Sequence, residues 1–488
     1  MDGSPRYSEK AHLPRNRAMS DKDLIDLQEV APAEVGEIDL YQRREKIYTR
    51  KIEGFYQRVR LFSGWPLLVG YLLLPWLEWD GRQAVLFDLP ARKFHIFGLT
   101  FWPQDAPMLA FMLIIAAFGL FAVTTFAGRI WCGYTCPQTV WTSIFMWLEQ
   151  KTEGSRNQRI KLDKAPWSPE KIAKKTAKHA SWLFVGLVTG MTFVGYFYPI
   201  RELVYEFATL SPGKWQLLWT VFFTLATYIN AGWMREQVCK YMCPYARFQS
   251  VMFDQDTLIV SYDKKRGEPR GSRKRNLDRE DTDLGDCIAC ELCVQVCPTG
   301  IDIRNGLQYE CIGCALCIDA CNSVMDKMEY PRGLIRYTSE HELEGGTTHW
   351  LRPRIIGYLL VLCLMVGVFW YNVFTRIPVE LTAIRDRNQL YLTTETGAIE
   401  NIYTLQLANM DNDPQEFDIS ISGIEGATII GETRHNLNGG EVRTITLRVR
   451  VEPDALSQPS TELDFRAISP TTPSLQAKAE SRFMKPLQ

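Results

Sequence analysis

The stretch CIACELCVQVCPTGIDIRNGLQYECIGCALCIDAC, residues 287–321, decides how this chain is read. It carries Cys287-x2-Cys290-x2-Cys293-x3-Cys297-Pro298 and then repeats the run as Cys311-x2-Cys314-x2-Cys317-x3-Cys321. A thiolate at every third residue wraps the backbone around a cube of iron and sulfide, and the fourth cysteine of each run faces the other cube. One [4Fe–4S] cluster is therefore expected on Cys287, Cys290, Cys293 and Cys321, and a second on Cys311, Cys314, Cys317 and Cys297. Structural zinc calls for separated pairs of ligands, not triplets with a crossed fourth. The small residues Ala289, Gly313 and Ala315 between ligands suit a close approach of backbone N–H groups to sulfide. Asn322 stands where the first run has Pro298, a departure that bears on potential or packing rather than on the presence of a cluster.

Outward from this stretch, the composition is strongly segregated. The chain has 488 residues, 46% of them hydrophobic, and 55 basic side chains against 56 acidic ones. That balance excludes a bulk polyanion binder, and the apolar content excludes a disordered chain; no nucleic-acid partner is expected. A mean hydropathy of −0.14 hides five stretches long and apolar enough to cross a bilayer: Leu61–Trp79, Pro107–Gly128, Ala180–Ile200, Trp215–Trp233 and Ile355–Phe374. The run TVWTSIFMWL at 139–148 is too short to span and reads as an interfacial or capping helix. Lys and Arg crowd the tail before the first span and the loop after the second, while the loop 80–105 holds few. The positive-inside rule then puts the N-terminus and residues 234–354 in the cytoplasm, and everything after Phe374 outside. In a reducing cytoplasm, disulfides are disfavoured for the cysteine runs. The basic stretch SYDKKRGEPRGSRKR in the linker from Asp256 to Arg279 is expected either as a solvated face or in contact with anionic lipid head groups.

Four further cysteines form a repeated pattern. Cys132-Gly-Tyr134-Thr-Cys136-Pro137 follows the second span, and Cys239-Lys-Tyr241-Met-Cys243-Pro244 follows the fourth. Each comes after a pair of spans, so residues 61–137 and 180–244 read as an internal repeat. On a helix, i and i+4 share a face, so each pair can offer two thiols to one ion, and a pseudo-twofold would bring all four together at the inner leaflet. Three chemistries stay open: a soft metal such as Cu(I), a reversible dithiol/disulfide, or a further iron–sulfur cluster. Met234, Met242 and Met252 are read as helix filler rather than thioether ligands. None of the six histidines lies mid-span, and C-x-x-C-H is absent, which argues against haem. Neither G-x-G-x-x-G nor a P-loop motif is present, and Cys363 reads as a small apolar residue in the fifth span.

After Phe374 the pattern becomes period-2: Gln389–Thr394, Ile402–Leu407, Phe417–Ile421, Arg443–Val451 and Glu462–Ala467, with turn clusters between. This reads as an antiparallel sandwich of immunoglobulin type without cysteine.

Taken together, WCGYTCPQTVW (131–141), CKYMCPYARFQ (239–249), TLIVSYDKKRGEPRG (257–271), the two cysteine runs and the sandwich tail resemble the FixG/CcoG cytochrome c oxidase accessory proteins, over nearly the whole chain from about Tyr41. The fold expected is that of a multi-domain membrane protein: a five-helix transmembrane bundle, a cytoplasmic bacterial-type two-cluster ferredoxin insert (α+β) and an external all-β immunoglobulin-like sandwich. Its parts are a disordered tail (1–40), a four-span region with both C-x-x-x-C-P motifs (41–255), the linker and ferredoxin domain (256–352), the fifth helix (353–374) and the sandwich (375–488). The resemblance implies a bacterial inner-membrane protein, with its C-terminal domain in the periplasm, that assists assembly of cbb-type cytochrome c oxidases by reducing Cu(II) to Cu(I). The expected copper-binding and catalytic residues are Cys132, Cys136, Cys239 and Cys243, fed by two [4Fe–4S] clusters. The expected partners are the lipid bilayer, a cytoplasmic electron donor and copper-delivery or oxidase assembly proteins, with a homodimer left open. The rival readings are a quinol-linked respiratory electron carrier and a non-enzymatic oxidase assembly scaffold.

Overall fold

The computed structural model describes residues 46–273, 283–386, 389–411, 413–456 and 458–486. The tail expected at 1–40 and residues 274–279 of the basic linker lie outside the described residues. Among the described residues, four helices are long and apolar enough to cross a membrane: Phe55–Trp76, Pro103–Ala127, Lys214–Met234 and Pro353–Phe374. In chain order the helices of the membrane region are α1 (Phe55–Leu73), α2 (Ala106–Ala127), α3 (Ile130–Tyr134), α4 (Pro137–Glu153), α5 (Arg156–Lys164), α6 (Pro169–Val194), α7 (Ile200–Ala208), α8 (Lys214–Thr227) and α9 (Pro244–Met252).

Two expectations for this region change. The third expected span, 180–200, is the apolar C-terminal part of the 26-residue α6. Its first half carries Lys171, Lys174, Lys175 and Lys178, and the chain leaves the helix at Gly195. α6 packs on α8 at close range, because a Cβ on Gly186 or Gly190 would lie 2.9 Å from Thr224 O or 2.8 Å from Thr220 O. Small residues are what let two helix backbones approach so closely. The short run 139–148 belongs to the 17-residue α4, which is an interior helix rather than a peripheral one. Phe145 is fully buried against Trp182. Glu149 has no exposed surface because Arg159 (3.2 Å) and Arg235 (2.8 Å) neutralise it. A sequence window sees Glu149 as an end to the apolar run; it cannot see the two arginines that arrive from α5 and from beyond α8.

The remaining helices are α10 (Lys264–Gly267), α11 (Leu292–Gln295), α12 (Leu316–Met328), α13 (Glu340–Glu344) and α14 (Pro353–Phe374). Strand Ile259–Tyr262 pairs antiparallel with Ile335–Thr338 and closes the cysteine-rich segment into one unit, so the first part of the expected linker is part of the ferredoxin fold. Its basic run is likewise partly structural. Arg266 bonds the Asp286 carboxylate at 2.5 Å and the carbonyls of Pro331 and Arg332, and Arg336 pairs with Asp263 at 2.9 Å. Lys264, Lys265 and Arg270 remain exposed.

This unit is held to the membrane helices by capping chemistry. The buried Asp319 of α12 accepts from the backbone N–H groups of Tyr56 (3.2 Å) and Gln57 (2.8 Å) in the first turn of α1, where a carboxylate favours both the unpaired amides and the helix dipole. α2 and α14 run antiparallel. At one end Arg352 donates to Thr125 O (3.2 Å), and at the other Arg376 reaches the Asp105 carboxylate (2.5 Å) and Thr100 O (3.1 Å). The 22-residue α14 separates these ends by roughly 33 Å at about 1.5 Å per residue. The cysteine-rich unit therefore sits at one end of the helices, and the C-terminal sheets sit at the other.

The segment between α1 and α2 is not a plain loop. It folds as strands 78–79 with 82–83, and 85–88 with 93–96 and 99–101. In the C-terminal domain one sheet orders strands 428–430, 442–451, 399–409 and 379–385, with 392–393 added to 399–400. The facing sheet orders 434–437, 415–422, 460–468 and 476–484. All pairs are antiparallel, and the inward residues of alternate positions, including Tyr403, Leu405, Phe417, Leu447, Val449, Phe465 and Phe483, form one core. Of the expected strand at 389–394 only Leu392–Thr393 forms, while Val379–Arg385, Thr428–Ile430, Arg434–Leu437 and Gln476–Met484 are additional strands. Thr428–Ile430 and Arg434–Leu437 are only three and four residues long, too short to show a period-2 pattern.

Candidate functional site

The structure gathers the eight ferredoxin cysteines into two cavities. Cys287, Cys290, Cys293 and Cys321 line the first, and Cys297, Cys311, Cys314 and Cys317 line the second. The fourth cysteine of each run thus crosses to the other triplet. Cys293 lines both cavities, so the two share a wall. The two runs also share a backbone. φ is positive at Ala289 (52°) and Glu291 (56°), and at the equivalent Gly313 (65°) and Ala315 (59°). Alternating hand turns successive N–H groups inward, the conformation of anion-binding nests, and Gly313 N already donates to Cys311 Sγ at 3.4 Å.

The donor set fits a [4Fe–4S] cluster in each cavity: four sulfurs, with Val260, Ile301, Ile303 and Leu316 among the apolar walls of the second. Burial pushes the Cys293, Cys311 and Cys321 thiols up to about 12, and a bound metal would invert this by stabilising thiolate. The two left-handed alanines already bear about 1–2 kcal/mol of strain, and a β-branched side chain fits that region worse still. Ala289→Val or Ala315→Val is therefore expected to lose visible cluster absorbance several-fold faster than wild type under an iron chelator. Equal rates would mean the left-handed backbone is not needed.

The four thiols of the two C-x-x-x-C-P motifs lie within electrostatic reach of one another. Burial raises Cys132 to about 11, with further upward pushes from Cys136 and Cys243. Burial raises Cys239 to about 12, again reinforced by Cys136, Cys132 and Cys243. The expected i, i+4 helix face does not form, however. Cys132 sits on α3, and Cys136 is the non-helical N-cap of α4, with φ −57° and ψ 127°. Cys239 lies in a π-helical turn, Val238–Met242, and Cys243 is the extended N-cap of α9. The reason is the proline after each second cysteine. Pro137 and Pro244 disfavour the helical conformation at the preceding residue and start a new helix at its first position. The same break in both motifs preserves the repeat, and it separates the two sulfurs of a pair onto different elements. Met242 is exposed.

This thiol locus abuts the second cavity. Cys132 packs against the buried cluster that contains Ile312, Cys314 and Leu316, and a Cβ on Gly133 would lie 2.8 Å from Cys314 Cα and 2.9 Å from its N. Sequence reasoning missed the residue that ties the parts together. The buried Arg129 donates to the carbonyls of Tyr309, Cys311 (3.3 Å) and Ala246 (2.6 Å), and so links the α2–α3 turn, a cluster loop and α9. Its charge also opposes the upward shift of Cys132, Cys239 and Cys311. The repeat held a signal, since Arg129 and Arg235 each precede the first cysteine of a motif by three or four residues; Arg235 is committed instead to Glu149. Gln249, also missed, is fully buried and accepts from Cys132 Sγ at 3.5 Å.

Comparison with known proteins gives three family matches: a 4Fe-4S dicluster domain at residues 234–340, a 4Fe-4S binding domain at 109–153, and the IG-like fold at the C-terminus of FixG at 369–486. The nitrogen fixation protein FixG of Rhizobium meliloti is 36% identical over 485 residues, covering 91% of each chain. Protein RdxA of Cereibacter sphaeroides is 40% identical over 79% of this chain and 84% of its own. A solved FixG-related protein from Vibrio parahaemolyticus is 30% identical, covering 22% of this chain and 98% of its own, with a TM-score of 0.21.

Proposed function

The chain belongs to the FixG family, and from that premise we propose that it is a membrane-bound electron-transfer protein that reduces Cu(II) to Cu(I) at Cys132, Cys136, Cys239 and Cys243 and so assists assembly of a cbb-type cytochrome c oxidase. Cys287, Cys290, Cys293 and Cys321 would hold one [4Fe–4S] cluster, and Cys297, Cys311, Cys314 and Cys317 the other. Each cluster supplies one-electron chemistry, matching the single electron that Cu(II) accepts. The observation that carries the reading is the order of the three sulfur sites. Cys290 of the first cavity is exposed, Cys293 lies in the shared wall, and Cys314 of the second cavity touches Gly133 beside Cys132. The exposed end suits a soluble electron donor, and the half-buried thiols at the other end suit the metal substrate. Four soft thiolates bind Cu(I) in preference to Cu(II), which raises the potential of copper held there and favours its reduction.

The lysine- and arginine-rich loops favour five spans, with α6 as the third, in a bacterial inner membrane. The ferredoxin unit would then be cytoplasmic and the sandwich periplasmic, with copper-delivery or oxidase assembly proteins as partners.

A second reading has a specific observation behind it: the 4Fe-4S binding domain match at 109–153 contains Cys132 and Cys136, so the four thiols would ligate a further cluster. Iron and acid-labile sulfide per chain separate the two. The copper reading expects about eight iron atoms, four for each of two cubes, unchanged by Cys132→Ser/Cys239→Ser. Roughly four more iron atoms, lost in that variant, would overturn it.

A further inference from the structure

The segments that enter and leave the ferredoxin unit meet at Asp256, His341 and His349. Asp256 lies just before strand Ile259–Tyr262, His341 is on α13, and His349 precedes α14. Their ligand-type atoms all lie within 4.8 Å of one another. His341 Nδ1 is 3.3 Å from Asp256 Oδ1, and His349 Nδ1 is 3.4 Å from Asp256 Oδ2. Both separations are long for charge-assisted hydrogen bonds, which run about 2.7–2.9 Å. They match the spacing of ligands around an ion, since two donors about 2.0–2.1 Å from a tetrahedral centre lie roughly 3.3–3.4 Å apart.

The cluster is also held in place from outside. His349 N donates to Asp256 Oδ1 at 3.0 Å, His341 N to Gln255 O at 3.0 Å, and Gly346 N to His341 O at 2.9 Å. Gly346 presses on the imidazole itself, because a Cβ there would come within 2.6 Å of His341 Cδ2. The His349 side chain is 60% exposed, which leaves one side of the group open for water or an exogenous ligand. Three protein donors with an open fourth position is the arrangement of an exchangeable metal site rather than a closed structural one.

We infer that Asp256, His341 and His349 bind a divalent first-row transition-metal ion of the Zn(II) or Cu(II) type. Two imidazoles with one carboxylate suit such borderline ions, whereas Mg(II) and Ca(II) prefer all-oxygen sets and Cu(I) prefers sulfur. The site stands at the same end of α2 as the thiol locus. Thr257 donates to Thr125 O at 3.0 Å, and the rings of Trp350 and Phe126 are 5.7 Å apart. Bound metal would staple the entry strand to the run leading into α14 and fix the ferredoxin unit on the helix ends.

The test is equilibrium dialysis of the full chain, free of any histidine tag, against Zn(II), with cluster absorbance confirming the fold. His341→Ala/His349→Ala and Asp256→Asn are each expected to bind one Zn(II) fewer than wild type, and equal occupancy would overturn the site. Should those variants fail to fold, Cu(II) added to the chain with Cys132, Cys136, Cys239 and Cys243 changed to Ser decides by electron paramagnetic resonance. Coupling to two nitrogens is expected; a Cu(II) signal without it would refute the assignment.

Discussion

Replacing Glu149 by Ala is expected to destabilise the protein by roughly 3–5 kcal/mol, because it strands buried cations. Arg159 and Arg235 converge on this one carboxylate, and the three side chains are almost wholly buried. Each arginine also holds a backbone carbonyl: Arg159 that of Thr49, and Arg235 that of Gly232 at 2.9 Å. Loss of Glu149 therefore loosens the segment before α1, α4, α5 and the turn after α8 together. Thermal unfolding in detergent checks this, with Glu149→Gln separating lost charge from lost volume. Breaking one member of a buried ionic triad is far more harmful than exchanging all of it for apolar residues. Glu149→Leu/Arg159→Met/Arg235→Met should accordingly recover part of the loss. A Glu149→Ala protein as stable as wild type would show that the network does not hold these helices.

The second large effect is expected at Gly133. Its Cβ position is 2.8 Å from Cys314 Cα, 2.9 Å from Cys314 N and 3.0 Å from Gly313 C. All three are backbone atoms in a loop pinned by Arg129, so neither side can give way cheaply. Overpacking of this kind costs about 1–3 kcal/mol, and the strain falls on a residue that lines the second cavity. Gly133→Val should therefore lose about four of the iron atoms per chain, the content of one cube, while the first cavity, which Gly133 does not touch, keeps its own. Iron analysis with electron paramagnetic resonance of the reduced protein reads this. Full iron content in Gly133→Val would mean that the thiol locus and the cluster loop are not in contact.

How much of this was legible from sequence depends on the range of the interaction. The cysteine runs are local, and their spacing alone predicts the crossed grouping that the two cavities display. The long apolar helices and the sandwich are likewise set by periodicity. The packing of α6 is not legible in the same way, because a hydropathy window has no means of knowing that Gly186 and Gly190 seat the helix on α8. The interior place of α4 is hidden because Glu149 looks polar until Arg159 and Arg235 are brought to it by the fold. At the thiol motifs, Cys132–Cys136 and Cys239–Cys243 have the i, i+4 spacing of a helix face, but Pro137 and Pro244 break the helix at each second cysteine. Arg129, Asp319 and Gln249 act across more than a hundred residues of chain, and nothing local marks them. Asp256, His341 and His349 are ordinary residues until strand pairing brings both ends of the ferredoxin unit together.

The most direct test of copper reduction at the thiol locus is an anaerobic titration of the purified protein with Cu(II) after dithionite reduction and removal of the reductant. Cluster absorbance is followed together with Cu(I) trapped by a colorimetric chelator. The account predicts cluster reoxidation matched one-for-one by Cu(I), and loss of both in Cys132→Ser/Cys239→Ser with its iron content intact. Cu(I) formed equally fast by that variant would contradict it, since the thiols would then play no part in the reduction.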